Sequence, residues 1–263
     1  MLKGLYTAYT GMINEQNRMD VLTNNLANAD TVGFKKEGAT SQSFDSVLVD
    51  RIRDDSEPVG HYRRIGEGHP GVKVGEGYTD FSQGAFQVTD NTYDLALGGD
   101  GFFTIEFTNK AGETSTLYTR DGNFSVTTDG YLVTTDGDYV MQETANGTLQ
   151  RIKVDPNEPI VVDKDGVIFQ NEKRVAQLKI TDFADYNYLE HFGENYYIPV
   201  EGAELEDAMD CEVFQGYLET SNVSIVSEMV NMISVSRQYE ANQKLIQTYD
   251  ASLDIAVNQI GKV

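Results

Sequence analysis

Three sets of residues in this chain have types and spacings capable of chemistry: a glycine triplet, three histidines with one cysteine, and an abundance of carboxylates. Gly66, Gly68 and Gly71 fit GxGxxG, which cradles a dinucleotide only where a strand leads in and a helix leads out, so that the helix N-terminus faces phosphate. Pro70 sits inside the triplet and Val72-Lys73-Val74-Gly75 follows it, so no helix is read there and no cofactor is expected. His61, His69 and His191 lack metal-ligand spacing and read as surface or turn residues. The Asp-Gly pairs lack the twelve-residue ligand order and terminal Glu of an EF-hand, so no metal is assigned. Cys211 has no histidine close in sequence and no GxSxG elbow is present; the single thiol excludes an internal disulfide framework and reads as filling a small buried site. With 42 acidic residues some pair must lie at a glycosidase-like separation, which makes that abundance uninformative. Asn123-Phe-Ser125, Asn146-Gly-Thr148 and Asn222-Val-Ser224 match the glycosylation sequon but read as chance matches. No catalytic residue is assigned.

Charge excludes one class of partner and suggests another. The chain carries −22, whereas binding a phosphate backbone requires clustered Lys and Arg, so nucleic acid is not an expected partner. Residues 1–40 hold four basic and four acidic groups, and residues 215–263 three basic and five acidic, so −20 of the −22 lies in residues 41–214. Nearly neutral ends around an acidic middle suit a chain whose ends crowd together with those of other copies. No apolar run approaches the length of a membrane span. Met1–Gly11 has neither an apolar h-region nor a cleavage site, so no secretory signal is read there.

The elements behind these expectations begin at the C-terminal end. Ile225, Met232, Tyr239, Ile246, Leu253 and Ile260 recur every seventh residue, with Met229, Val235, Tyr249 and Val257 between them, which predicts a helix over about 223–260 with one apolar seam. At the other end Leu2, Leu5, Tyr9, Met12, Met19 and Leu26 follow a three-four spacing, interrupted at Gln16 and Thr23. Tyr6, Ile13 and Leu22 widen that face, and Asn24–Asn28 with Thr31 and Gly33 supplies the helix stop. Glycines at 60, 66, 68, 71, 75 and 77 argue against a long regular element in the arm that follows. From about Thr79, Asp-Gly pairs at 100–101, 121–122, 129–130, 136–137 and 165–166 punctuate short apolar runs and predict antiparallel hairpins. The expected class is α+β: terminal helices forming a coiled-coil-like helical domain around a central antiparallel β domain. Its boundaries are 1–33 for the first helix, 34–78 for a Gly-rich connecting arm, 79–214 for the β domain and 215–263 for the second helix.

Several stretches together resemble the flagellar axial family, the basal-body rod and hook proteins. They are Arg18-Met-Asp-Val-Leu-Thr-Asn-Asn-Leu-Ala-Asn28 with Thr31, Gly33 and Phe34-Lys35; Tyr93-Asp-Leu-Ala-Leu97, Gly99-Asp-Gly-Phe-Phe103 and Tyr118-Thr-Arg-Asp-Gly-Asn-Phe124; and Gln215-Gly-Tyr-Leu-Glu-Thr-Ser-Asn-Val223 with Glu228-Met-Val-Asn-Met-Ile233, Arg237, Tyr239-Glu240 and Ile246-Gln247-Thr248. The blocks occur in order along nearly the whole chain. The resemblance implies a non-enzymatic subunit, exported uncleaved through the flagellar type III apparatus and polymerised with itself and with neighbouring rod and hook proteins in the basal body. It is most like the distal rod subunit, with the proximal rod paralogue next and a hook-type axial subunit as a further alternative. The assembly seam would then be Leu5, Tyr9, Met12, Met19 and Leu26 with Ile225, Met232, Tyr239, Ile246, Leu253 and Ile260. From a different class, the alternative is a secreted acidic β enzyme or carbohydrate-binding module with helical dimerisation arms, for which the carboxylate-rich middle speaks and the absence of Trp does not.

Overall fold

The computed structural model describes residues 2–50, 64–110, 112–144, 148–193, 195–208 and 211–260. They form an α+β chain of two compact units. One consists of Met1–Leu26, Glu37–Thr79 and Ser224–Val263, and the other of Ala27–Lys36 and Asp80–Val223.

The first unit holds both long helices. Helix α1 spans Leu2–Ala27 and α2 spans Ile225–Ile255, followed by a wider π-type turn over Ala256–Ile260. At 1.5 Å per residue α2 is about 46 Å long. Ser224 precedes it in extended conformation, and the acidic Glu228 lies in its first turn, where the helix dipole favours a negative charge. Between the helices run strands β1 (Lys36–Ser43), β2 (Val47–Asp50), β3 (Arg64–Gly68) and β4 (Val72–Asp80), with β1 paired to β4 and β2 antiparallel to β3. The glycines of this stretch argue against a long regular element, yet β4 is nine residues long. They are accommodated because the partner strand lies over them: a Cβ on Gly75 would stand 2.6 Å from Thr40 Oγ1, and one on Gly38 would meet the Tyr78 ring. Gly66, Gly68 and Gly71 lie in and just beyond β3 and lead into β4, not into a helix. Arg51, Arg53, His61 and Arg63 lie outside the described residues, as does Asn146 of the central sequon.

The second unit is built on a mainly antiparallel sheet of ten strands. Phe102–Thr108 lies near its centre, flanked by Thr114–Thr119 on one side and Tyr139–Glu143 on the other. Leu95, Leu97, Phe103, Phe124, Leu132, Val140, Ile152, Ile168 and Val213 fill one buried cluster; Phe102, Tyr118, Phe183 and Tyr197 fill a second, aromatic one. Of the five Asp-Gly pairs, three make hairpin turns, with φ of 85° at Gly130, 95° at Gly137 and 72° at Gly166. The other two differ. Gly101 introduces the central strand, while Gly122 has no positive φ and is required for space, because a Cβ there would overlap the Leu95 carbonyl.

Candidate functional site

The residues singled out for assembly lie on the two helices, except Ile260, which ends the π-type turn after α2. On the side of α1 facing the strands stand small polar groups: Thr7 Oγ1 donates to the Pro70 carbonyl at 3.0 Å and Asn14 Nδ2 donates to Ser41 Oγ at 3.0 Å. Asn25, fully buried, donates to the Glu37 carbonyl at 2.7 Å and accepts from the Glu37 N–H at 2.9 Å. One amide thus satisfies both backbone groups that a neighbouring strand would otherwise occupy, which removes the cost of burying them unpaired.

A second side of α1 meets α2 through glycine. A Cβ on Gly4 would strike the Tyr249 phenol, and one on Gly11 would stand 3.0 Å from Asn242 Nδ2. With its amide turned to donate, Gln238 places its nitrogen 3.1 and 3.2 Å from the two Glu15 carboxylate oxygens. The numbers 4 and 249, 11 and 242, 15 and 238 each sum to 253, so the helices run antiparallel with residue i of α1 beside residue 253 − i of α2. The less exposed positions of α2 follow the same line: Glu228, Met232, Val235, Tyr239, Asn242, Ile246, Tyr249, Leu253 and then Ala256 alternate steps of four and three.

Of the seam residues read from sequence, Met232, Tyr239, Ile246 and Leu253 are half-buried on that line, and Leu5, Met12, Met19 and Leu26 are half-buried on α1. Tyr9 and Ile225 are exposed, and the Ile260 side chain lies outside the described residues. Sequence reasoning missed the polar members Glu228, Asn242, Asn14 and Asn25, and the two glycines. The spacing of seven between Gly4 and Gly11 was the available signal for where the Tyr249 and Asn242 side chains reach α1. At the same end of the unit, a groove of about 770 Å³ is lined by Leu5, Tyr6, Tyr9, Val47, Pro70 and Ile246. Lys3, Thr7 and His69 also line it.

The β unit contains the main concentration of buried charge. Lys35 Nζ lies 2.6 Å from Glu219 Oε1 and donates to the Ser82 carbonyl at 2.9 Å; Arg120 Nη1 lies 3.5 Å from Glu219 Oε2, and its Nη2 donates to the Gly99 carbonyl at 2.8 Å. Burial holds the Lys35 ammonium below the usual lysine range, against the opposing pull of Glu219. Nearby in sequence, burial raises Asp121 to about 6, with Asp136 and Asp94 adding to the shift. Cys211 packs half-buried against the larger apolar cluster, and burial lifts its thiol to about 11, which disfavours the nucleophilic thiolate. His191, read as a surface or turn residue, is instead half-buried with its ring set edge-on to Phe34 and Tyr197, because the strand Leu189–Phe192 turns it inward. Among the described residues, no three His, Cys, Asp or Glu side chains gather as a metal site, and no helix is long and apolar enough to cross a membrane.

Three segments match known families. Residues 5–35 match the flagella basal body rod protein family, residues 96–170 the flagellar hook protein FlgE/F/G D1 domain, and residues 215–260 the flagellar basal body rod FlgEFG protein C-terminal family. Over its length the chain is similar to the flagellar basal-body rod protein FlgG of Buchnera aphidicola from Schizaphis graminum, at 32% identity covering 96% of this chain and 98% of that protein. It is also similar to the flagellar basal-body rod protein FlgF of Caulobacter vibrioides, at 30% identity, and to the flagellar hook-basal body complex protein FlhO of Bacillus subtilis, at 34%, each covering 100% of both chains.

Proposed function

The chain belongs to the flagellar basal-body rod and hook protein family, and from that premise we propose that it is a structural rod subunit which polymerises through its terminal helices into the axial drive shaft. The observation that carries the reading is the end-to-end match to proteins named as rod proteins, joined to a helical unit assembled from both chain ends. In this reading α1 and α2 pair as a coiled coil, and export proceeds through the flagellar type III apparatus without cleavage. The distal rod subunit is the type favoured; relatives named FlgG and FlgF both span the chain, which keeps the proximal rod and hook-type subunits as alternatives. Leu5, Met12, Met19 and Leu26 with Met232, Tyr239, Ile246 and Leu253 supply the seam, and Tyr9 and Ile225 face outward to neighbouring rod and hook subunits.

The test is Ile246→Asp. Ile246 is half-buried on the inner line of α2 and borders the groove. An unpaired carboxylate there costs on the order of 3 kcal/mol or more if the interface is dry. Pelleting by sedimentation and swimming should both be lost, while the thermal transition of the β unit stays in place. Normal assembly of this variant would overturn the reading of the seam.

A further inference from the structure

Each helix carries a second apolar stripe that the pairing of α1 with α2 leaves uncovered. On α1 it is Tyr6, Tyr9 and Ile13; on α2 it is Val226, Val230 and Ile233; these six side chains are 39–73% exposed. At 3.6 residues per turn the α2 stripe lies roughly opposite the side its helix turns toward α1, and Tyr6 and Tyr9 of the α1 stripe line the groove that Ile246 borders. Each has a patterned partner on the same sequence: the α1 stripe steps by three and then four, and the α2 stripe by four and then three. Laid antiparallel, 6 meets 233, 9 meets 230 and 13 meets 226, and each pair sums to 239. Within one chain the corresponding sum is 253, so the second alignment repeats the same antiparallel α1–α2 contact displaced by fourteen residues, or about 21 Å along the helix axis.

We propose that the outward stripe of α1 in one copy receives the outward stripe of α2 from a second copy, in the register 6–233, 9–230 and 13–226. This rests on the rod reading and specifies the contact by which the rod grows. The occupant is another copy because the contact continues the intrachain interface with the same helix pair and the same polarity. The stripes are also uncharged, which a chain of net −22 needs wherever two copies touch. The two stripes occupy different helices and are different surfaces, so the contact is heterologous; every copy has one stripe to give and one to receive. Three side chains per stripe expose on the order of 300 Å² or less, below the roughly 800 Å² per partner of a stable complex. A pair of copies joined only this way should therefore fall apart, and the contact persists only when other contacts of the polymer add to it.

The experiment is cysteine trapping in the full-length chain with Cys211→Ser, under conditions where that parent chain pellets. Tyr9→Cys and Val230→Cys variants are oxidised separately, mixed, and combined in one chain; Tyr9→Cys mixed with Ile255→Cys, an exposed α2 position far from 230, is the register control. The expected result is a crosslinked dimer only in the Tyr9–Val230 mixture, and a ladder of multimers from the double variant. A homodimer from Val230→Cys alone, no crosslink in chains that pellet normally, or crosslinking in intact cells only to a protein of another mass would overturn the contact while leaving the rod reading standing. A parent chain that never pellets and restores no motility would remove the rod reading itself, and the contact with it.

Discussion

Glu219→Gln should be among the most damaging single-atom-scale changes available in the β unit. Glu219 is 1% exposed and its carboxylate faces two cations almost as deeply buried, Lys35 at 2.6 Å and Arg120 at 3.5 Å, while Oε1 also accepts from the Gly84 N–H at 2.8 Å. The amide keeps the shape and an acceptor for Gly84 but removes the only negative charge among these three side chains, leaving two buried cations beside each other. Breaking a buried pair in this way costs about 3–5 kcal/mol. At about 2–4 °C per kcal/mol for a unit of about 150 residues, the midpoint should fall by about 6–20 °C. Lys35→Met provides the internal comparison: it leaves Arg120 and Glu219 as a balanced pair and removes a cation whose burial already disfavours its charge, so it should cost less. Because the folded-state affinity of Lys35 for its proton is lowered, the unfolded chain holds that proton to higher pH. The contribution of Lys35 to stability therefore rises with pH through the alkaline window below 10.5, and Lys35→Met should abolish that rise. Thermal melts followed by near-ultraviolet circular dichroism of the aromatic cluster report all three chains. The reasoning is refuted if Glu219→Gln melts within about 2 °C of the parent, or if Lys35→Met is the more damaging change.

Asp121 is raised to about 6, chiefly by burial, so the folded state holds its proton more tightly than the unfolded state. The associated stability is present below about 3.8 and is lost as pH rises through about 6, on the order of 2–3 kcal/mol in full. Asp121→Asn keeps an acceptor for the Asn123 N–H and should flatten that loss, exceeding the parent in urea midpoint at pH 7 but not at pH 4. Salt should promote assembly, because raising ionic strength from about 0.01 M to about 0.15 M shortens the screening length from roughly 30 Å to roughly 8 Å. That weakens repulsion among the acidic middles more than attraction between apolar helix faces. Sedimentation at pH 7 should show a critical concentration that falls with salt; one that rises would mean intersubunit ion pairs dominate.

Much of this architecture was legible because periodicity survives in a single sequence. The seven-residue recurrence of Met232, Tyr239, Ile246 and Leu253 identifies α2 and its inner line, and Asp129-Gly130, Asp136-Gly137 and Asp165-Gly166 locate three hairpins. The same logic also counted Asp100-Gly101 and Asp121-Gly122, though the first introduces the central strand and at the second glycine serves a close backbone approach and not a turn. Polar side chains that complete an interface have no hydropathy signature, so Asn242 and Glu228 were invisible even though they fall in phase with the inner line of α2, and so was Asn25, which meets the Glu37 backbone on another side of α1. The clasp of Lys35 with Glu219 joins residues 184 apart, and nothing local marks either as buried. Strand β4 was hidden for another reason: its glycines depress every strand indicator, and only the partner strand lying over them makes an extended run favourable.

The short segment Ala27–Lys36 is stitched into a unit whose remaining residues begin at Asp80, and its fastenings come late. Gly33 donates its N–H to the Glu219 carbonyl, Lys35 pairs with the Glu219 side chain, and the Lys36 N–H reaches Asn222 across 186 residues. At a synthesis rate of about 5–20 residues per second, that segment waits on the order of 10–40 s before its partners exist. Through that interval the ring of Phe34 has water where it will later have His191, and the carboxylate awaited by Lys35 has not been made. Closure of the β unit is thus timed by the length of the chain: a copy cut short before Glu219 keeps an open seam that proteases and other nascent copies can reach, and a finished copy does not.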